Sequence, residues 1–258
     1  MKSAFELAPL LYPGMDPPLT WLMSHAERLA LLGVLEAAQP AAALEVGTAG
    51  GGSLQQIRRF APSVYSVDIV PSVRERLAPL MPNVEFLTGD SRDLIGTVLA
   101  RCTERGTPLG FALIDGDHSY GGVNGDVRAL LAVRPRCPLW VLMHDSSNPD
   151  CRAGIADAPW ADNPHVHAVE LDFVIGALSE DPQFQHQLWG GFALALLLPE
   201  PRTHSLAVTA SGAKSFAALW RASAHYPSLQ NKVSHWLQVK RRGIARRLGR
   251  TRSVSPEP

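Results

Sequence analysis

Five short apolar runs, ALEVG, SVYSVDIV, NVEFLTG, FALID and PLWVLMHD, follow one another between residues 43 and 145, each closed by glycine, proline or polar residues. Runs of this length, apolar on both faces, are the pattern of strands buried inside a sheet. Between them lie segments with helical spacing: SLQQIRRF, PSVRERLAPLM, SRDLIGTVLARCTERG and GGVNGDVRALLAV. Strict alternation of strand and helix leaves few folds open, because a parallel strand pair needs a crossover and a helix supplies it. The chain is therefore expected to be α/β, Rossmann-like and doubly wound, with helices on both faces of the sheet. Two later apolar stretches, VHAVELDFV and GFALALLL, bring the expected sheet to seven strands, mostly parallel.

At 258 residues the chain has room for one such domain with appendages. Residues 1–23, rich in proline and apolar side chains, read as an irregular arm. Ser24 followed by Glu27 makes a capping box that opens a helix through LALLGVLEA, which Pro40 ends. The domain is expected over residues 24–205, with 146–165 as a loop-rich insertion, Pro199 to Ser211 as loop, and 206–258 as a helical and then basic extension. Net charge is zero, yet from Lys232 onward there are eight Lys or Arg against Glu257 alone. That tail reads either as a basic amphipathic helix suited to an anionic membrane surface or an acidic partner, or as a solvated end. Cys102, Cys137 and Cys151 form no CxxC pair, the apolar run FALALLL is too short to span a bilayer, and the N-terminus lacks a cleavage signal. A cytoplasmic enzyme with reduced thiols is the expectation, and the lack of a basic, aromatic-laced groove argues against nucleic acid as its substrate.

In a doubly wound sheet the ligand crevice lies beyond the carboxyl ends of the strands, so strand ends are where chemistry belongs. The first run ends at Glu45 and the turn GTAGGGS, whose bare backbone N–H groups lead into a helix N-terminus, a cradle for a ligand. The second ends at Asp68, placed to accept hydrogen bonds from a ribose. The third ends in Gly89, Asp90 and Ser91, the fourth in Asp115, Gly116, Asp117 and His118, the fifth in His144 and Asp145. Any one of these clusters is explicable as a helix cap; five in succession are not. A nicotinamide fingerprint fails by one residue, because the second glycine of GxGxxG counted from Gly47 is Ala49. A nucleotide-cofactor oxidoreductase therefore remains an alternative, as does a non-catalytic binding protein of the same fold.

Over residues 22–200 the motifs, in order, resemble class I S-adenosylmethionine-dependent methyltransferases. GDSRDLI, LIDGDHSY and HDSSNPDCRAGI are most similar to small-molecule O-methyltransferases acting on catechols, caffeoyl-CoA and macrolide sugars. The resemblance implies S-adenosylmethionine as cofactor and O-methylation of a small-molecule hydroxyl. It implies that Glu45, Gly47, Thr48, Gly51 and Ser53 hold the methionine part, that Asp68 binds the ribose, and that Asp90 and Ser91 border the adenine, with Asp115 at the junction.

In several such relatives, acids at the positions of Asp115 and Asp145 bind a divalent cation, Mg or Mn, that holds the acceptor hydroxyl. Here His144 replaces a neighbouring oxygen ligand, and imidazole suits Mn, Fe or Zn better than Mg. Two routes stay open. Asp115, His144 and Asp145 hold a metal that acidifies the hydroxyl, or the site is metal-free and His118 or His144 takes the proton beside Asp115 and Asp145. Asp117 is expected to shape its turn and Tyr120 to pack. The acceptor pocket is expected from the N-terminal arm, the insertion and the segment between the last two strands, with Trp160, His165, Phe184, His186 and Trp189 available to line it.

Overall fold

The computed structural model describes residues 19–227. Its elements are α1 (His25–Ala38), β1 (Ala42–Val46), α2 (Gly52–Phe60), β2 (Ser63–Asp68), α3 (Pro71–Leu77), β3 (Val84–Thr88), α4 (Ser91–Glu104), β4 (Leu109–Ile114), α5 (Tyr120–Leu130), β5 (Leu139–His144), α6 (Pro149–Ala156), β6 (Val166–Leu178), β7 (Leu188–Leu197), β8 (Val208–Thr209) and α7 (Ala213–Ala222). The strands form one sheet in the order β3-β2-β1-β4-β5-β7-β6-β8. Neighbours from β3 to β5 pair in parallel, β7 runs antiparallel to both β5 and β6, and β8 pairs in parallel with β6.

Side-chain alternation along the central strands divides the core in two. Leu44 and Val46 of β1, Ile114 of β4 and Met143 of β5 pack with Ile95 and Val98 of α4, Val127 of α5 and Ile155 of α6. Ala43, Leu113 and Leu142 point the other way, onto Leu31 and Leu35 of α1, Leu54 and Ile57 of α2 and Leu77 of α3. Each face of the sheet is thus sealed by three helices, which is why the strands read as unbroken apolar runs. The same alternation sends Glu45 and His144 toward the face that α1 and α2 cover. The capping box forms as expected: Glu27 N donates to Ser24 Oγ, and Ser24 N donates to the Glu27 carboxylate.

The structure departs from the sequence expectation in four places. The sheet has eight strands rather than seven, because a two-residue strand, β8, lies inside the expected loop 199–211. The insertion is not all loop: Asn148 accepts from the amides of Asp150 and Cys151, Pro149 takes the first helical position, and α6 follows. β6 runs beyond the expected end at Val174 to Leu178, with register shifts between Val166 and Ala168 and between Glu170 and Val174. Trp189, expected between the last two strands, lies within β7. Of the expected arm only residues 19–23 are described, and the basic stretch from Lys232 lies outside the described residues.

Candidate active site

The chain runs outward through β1, β2 and β3, then returns to place β4 against the other edge of β1, so the crevice where strand order reverses lies between Gly47 and Asp115. The two backbones meet closely there: Asp115 N donates to Val46 O at 2.9 Å, and a Cβ on Gly47 would sit 2.0 Å from Asp115 O. With φ at +80°, only glycine fits. The loop beyond is ordered by Asp68, whose Oδ2 accepts from Thr48 N and Ala49 N, each at 3.0 Å, while Oδ1 accepts from Val70 N at 2.8 Å. Two donors saturate Oδ2, while Oδ1, with one, keeps a lone pair for a further donor.

Glu45 is fully buried beneath this loop. Its Oε2 accepts from Thr48 Oγ1 at 2.8 Å, while Oε1 has no hydrogen-bond partner among the described residues. Burial, only partly offset by hydrogen bonds from Ser53 and Thr48, pushes its carboxyl up to about 8. An orphaned, neutral carboxyl under a glycine cradle is suited to a ligand bearing an ammonium group. Glu45 and Gly51, both expected among the binding residues, line neither adjoining cavity: Glu45 lies beneath the loop, and the absent Cβ of Gly51 faces Leu77 and Leu19, so that glycine serves the turn.

Two cavities flank the crevice. One, of about 300 Å³, runs past Asp68 and Ile69 to Gly89, Asp90, Ser91 and Gly116. Asp90 caps α4 and pairs with Arg92. Ser91 donates to Asp126 Oδ1 at 2.5 Å, and the other Asp126 oxygen is buried with no partner among the described residues. Burial pushes Asp126 up to about 6. Sequence reasoning missed this acid, because an aspartate inside a helix carries no signal of its own.

The second cavity, about 450 Å³, opens on the other side of the crevice. Trp21, Leu22 and Met23 of the arm form one wall, Phe184 and Trp189 another, and Asp115, His118, His144 and Asp145 the floor. Arg28 fastens the arm, donating from Nε to Met23 O at 2.8 Å and from Nη2 to Trp21 O at 2.5 Å. Trp160, His165 and His186 do not line it. Trp160 is core, 2% exposed, and His165 Nδ1 bonds Leu198 O at 2.9 Å.

The floor is a closely spaced set of acids and imidazoles. His144 Nδ1 lies 3.0 Å from Asp115 Oδ1 and 3.6 Å from Asp145 Oδ2, and its Nε2 lies 3.0 Å from Glu27 Oε1. His118 Nε2 spans the same acids, 3.3 Å from Asp115 and 3.4 Å from Asp145. Burial disfavours charge on His144, but Asp115, Glu27 and Asp145 outweigh it and raise the imidazole well above its usual value. Asp115 and Glu27 are likewise held at about 2 against burial, chiefly by His144. Asp145 goes the other way, raised by burial and by Asp115 although His144 opposes. Its backbone has φ at +55°, and its Oδ1 accepts from Gly190 N at 2.6 Å, a bond that holds the strained residue in place.

A divalent cation fits this floor. Asp115, His144 and Asp145 each offer one donor atom within 4.8 Å of the others. Ligands at right angles, each about 2.1 Å from one ion, stand about 3.0 Å apart, as Asp115 Oδ1 and His144 Nδ1 do. Glu27 supplies what a metal-bound imidazole needs on its far nitrogen, a carboxylate that accepts Nε2–H and leaves Nδ1 for the ion. Glu27 was legible in the sequence only as a helix cap.

Residues 44–146 match the family model of a methyltransferase domain. No curated protein matches the chain. Among solved structures, the chain is similar to an O-methyltransferase from Bacillus cereus in complex with S-adenosylhomocysteine, with TM-score 0.53 and 17% identity over 74% of this chain and 94% of that one. It is also similar to TomG from Streptomyces achromogenes, an O-methyltransferase of tomaymycin synthesis solved with S-adenosylmethionine, with TM-score 0.51 and 20% identity over 68% of this chain and 81% of that one.

Proposed function

We infer that the chain is an S-adenosylmethionine-dependent methyltransferase that methylates a hydroxyl group of a small molecule, a reading supported by the match of residues 44–146 to a methyltransferase domain. The observation that carries this reading is that the two cavities share a wall: Gly47, Ala49, Asp115 and His118 line both. A donor whose nucleoside lies in the smaller cavity crosses that wall with its methionine end, along the loop residues Thr48 and Ser53 of the larger cavity, and meets there the acceptor, the arrangement an in-line displacement requires. The acceptor oxygen forms a bond to the methyl carbon as the carbon–sulfur bond breaks, leaving S-adenosylhomocysteine.

In this reading Glu45, with the loop from Gly47 to Ser53, holds the methionine end, its orphaned Oε1 facing the ammonium. Asp68 takes the ribose, and Asp90 and Ser91 border the adenine. Asp115, His144 and Asp145 hold a divalent cation, which when bound makes the acceptor hydroxyl more acidic. His118, whose side chain is 42% exposed at the junction, carries the released proton to water. Among the described residues, those lining the larger cavity include Asp115, Asp145 and Asp181 and no Lys or Arg. That composition favours a neutral or amine-bearing acceptor over a phosphorylated or CoA-linked one. The three free thiols, Cys102, Cys137 and Cys151, suit a cytoplasmic setting.

Incubation with labelled S-adenosylmethionine, Mn²⁺ and a panel of catechols, sugars and amino sugars tests the reading; methyl ether formation is expected, with phosphorylated analogues inert. Asp145→Ala is expected to lower turnover at least about 100-fold while S-adenosylhomocysteine binds as in wild type. Normal turnover by that variant would remove the acceptor-side assignment.

A further inference from the structure

We propose that Glu27 is a positioning residue. Its carboxylate fixes the ring of His144 with Nδ1 turned onto Asp115 and Asp145, and fastens that orientation to the arm that walls the acceptor cavity. The side chain is 4% exposed and makes bonds to three separate parts of the chain. Oε1 accepts from His144 Nε2 at 3.0 Å and from Gly191 N at 2.5 Å; Oε2 accepts from Ser24 N at 2.5 Å.

A helix cap alone needs only the last of these. The other two reach residues 117 and 164 positions away. An imidazole on a strand end has a broad, roughly two-fold torsion about its ring, and a half-turn would carry Nδ1 away from the acids. The Nε2–H bond to Glu27 removes that freedom from one side, and the Phe192 ring, centred 5.2 Å from that of His144, packs beside it.

The backbone of β7 is shaped around the same carboxylate. Gly190 and Gly191 have φ of +74° and +84°, and a Cβ on Gly190 would lie 2.7 Å from Glu27 Oε1. This pair of glycines donates one N–H to Asp145 and the next to Glu27. One bend therefore secures a carboxylate on each side of His144. Because Glu27 also holds Ser24 N, next to Met23 in the cavity wall, the orientation of the ring and the seating of the arm depend on each other.

The consequence for catalysis rests on the transferase reading; the ring orientation does not, so the test separates them. In the full-length, metal-free protein, proton–nitrogen NMR of the imidazoles should show a slowly exchanging Nε2–H of His144, assigned by its loss in His144→Gln. In Glu27→Ala that signal should exchange away. Mn²⁺ affinity, measured with MnCl2 alone, should fall about 10–100-fold, with affinity for S-adenosylhomocysteine unchanged. In turnover, kcat should fall by a similar factor while KM for S-adenosylmethionine stays constant.

Ser24→Ala weakens the same cap without touching His144, and is expected to lower Tm while leaving Mn²⁺ affinity within twofold of wild type. If Glu27→Ala does not fold, Glu27→Gln keeps the size and one acceptor oxygen but cannot accept from Ser24 N and His144 together, and it is read the same way. A folded Glu27 variant with the His144 Nε2–H signal and Mn²⁺ affinity of wild type overturns the proposal. A wild-type protein that binds no Mn²⁺ and moves no methyl group overturns the transferase reading instead, and the NMR comparison still decides Glu27.

Discussion

At the scale of single residues, the buried acids make testable statements about protons. Glu45 keeps its proton up to about 8, against an ordinary value of 4.5, so in the empty protein it is neutral at pH 7. An ammonium brought beside it favours the ionised form. Binding of S-adenosylhomocysteine at pH 7 should therefore release on the order of one proton, seen as a dependence of calorimetric heat on buffer ionisation enthalpy and lost in Glu45→Gln. The linkage has a definite sign: the folded state holds a proton that the unfolded chain gives up above 4.5, so Glu45 makes the empty protein less stable as pH rises from 4.5 toward 8. His144 gives the complementary case. Its imidazole, raised well above the ordinary value by the surrounding acids, must shed the Nδ1 proton to take a cation, so Mn²⁺ affinity should weaken as pH falls. Titration of Mn²⁺ binding between pH 6 and pH 9 reads this, and an affinity independent of pH would exclude His144 as a ligand. Asp115, His144 and Asp145 were legible in the sequence because strand ends are few and each carried a polar cluster. Glu27 was not, because its capping box with Ser24 accounts fully for the sequence pattern while its second partner lies 117 positions away.

At the scale of elements, apolar packing is supplemented by a few buried polar contacts. Arg152 of α6 pairs with Asp172 of β6 at 2.7 Å, with side chains 14% and 1% exposed, and its guanidinium lies 3.9 Å from the ring centre of Phe216 in α7. Three elements thus meet on one arginine. Arg152→Ala would leave Asp172 a buried, unpaired carboxylate, with an expected loss of about 3–5 kcal/mol in urea unfolding. The arginine was visible in the sequence but its helix was not, because polar residues, glycine and proline dominate the insertion. The Asn-Pro pair that starts α6 was the available signal. The two-residue strand β8 had no such signal, since a pair of residues is too short to show a period. By contrast, the helices between the parallel strands were legible throughout, because crossover geometry and the 3.6-residue period point to the same segments.

For the whole molecule, the sheet order places the two cavities beside one reversal of strand order, between β1 and β4. Ligand binding to the folded state should accordingly stabilise it as a unit. S-adenosylhomocysteine at about 100 times its Kd adds about 2.7 kcal/mol, a rise in Tm of roughly 5–10 °C, whereas NAD should leave Tm unchanged. A shift with NAD and none with S-adenosylhomocysteine would reverse the choice of cofactor. The alternation that made the fold legible also fixed which strand ends share the crevice; the contact between α1 and β7 follows only from three-dimensional packing. That contact bears on how the protein is made. A ribosome delivers Glu27 early and Gly191 late, with 164 positions between them. At about 5–20 residues per second, roughly 8 to 33 seconds separate their emergence. During that interval the glycine loop and Asp68 are already out, while the carboxylate beneath His144 still lacks its last donor. The emerging chain should thus gain its methyl-donor site before its acceptor site.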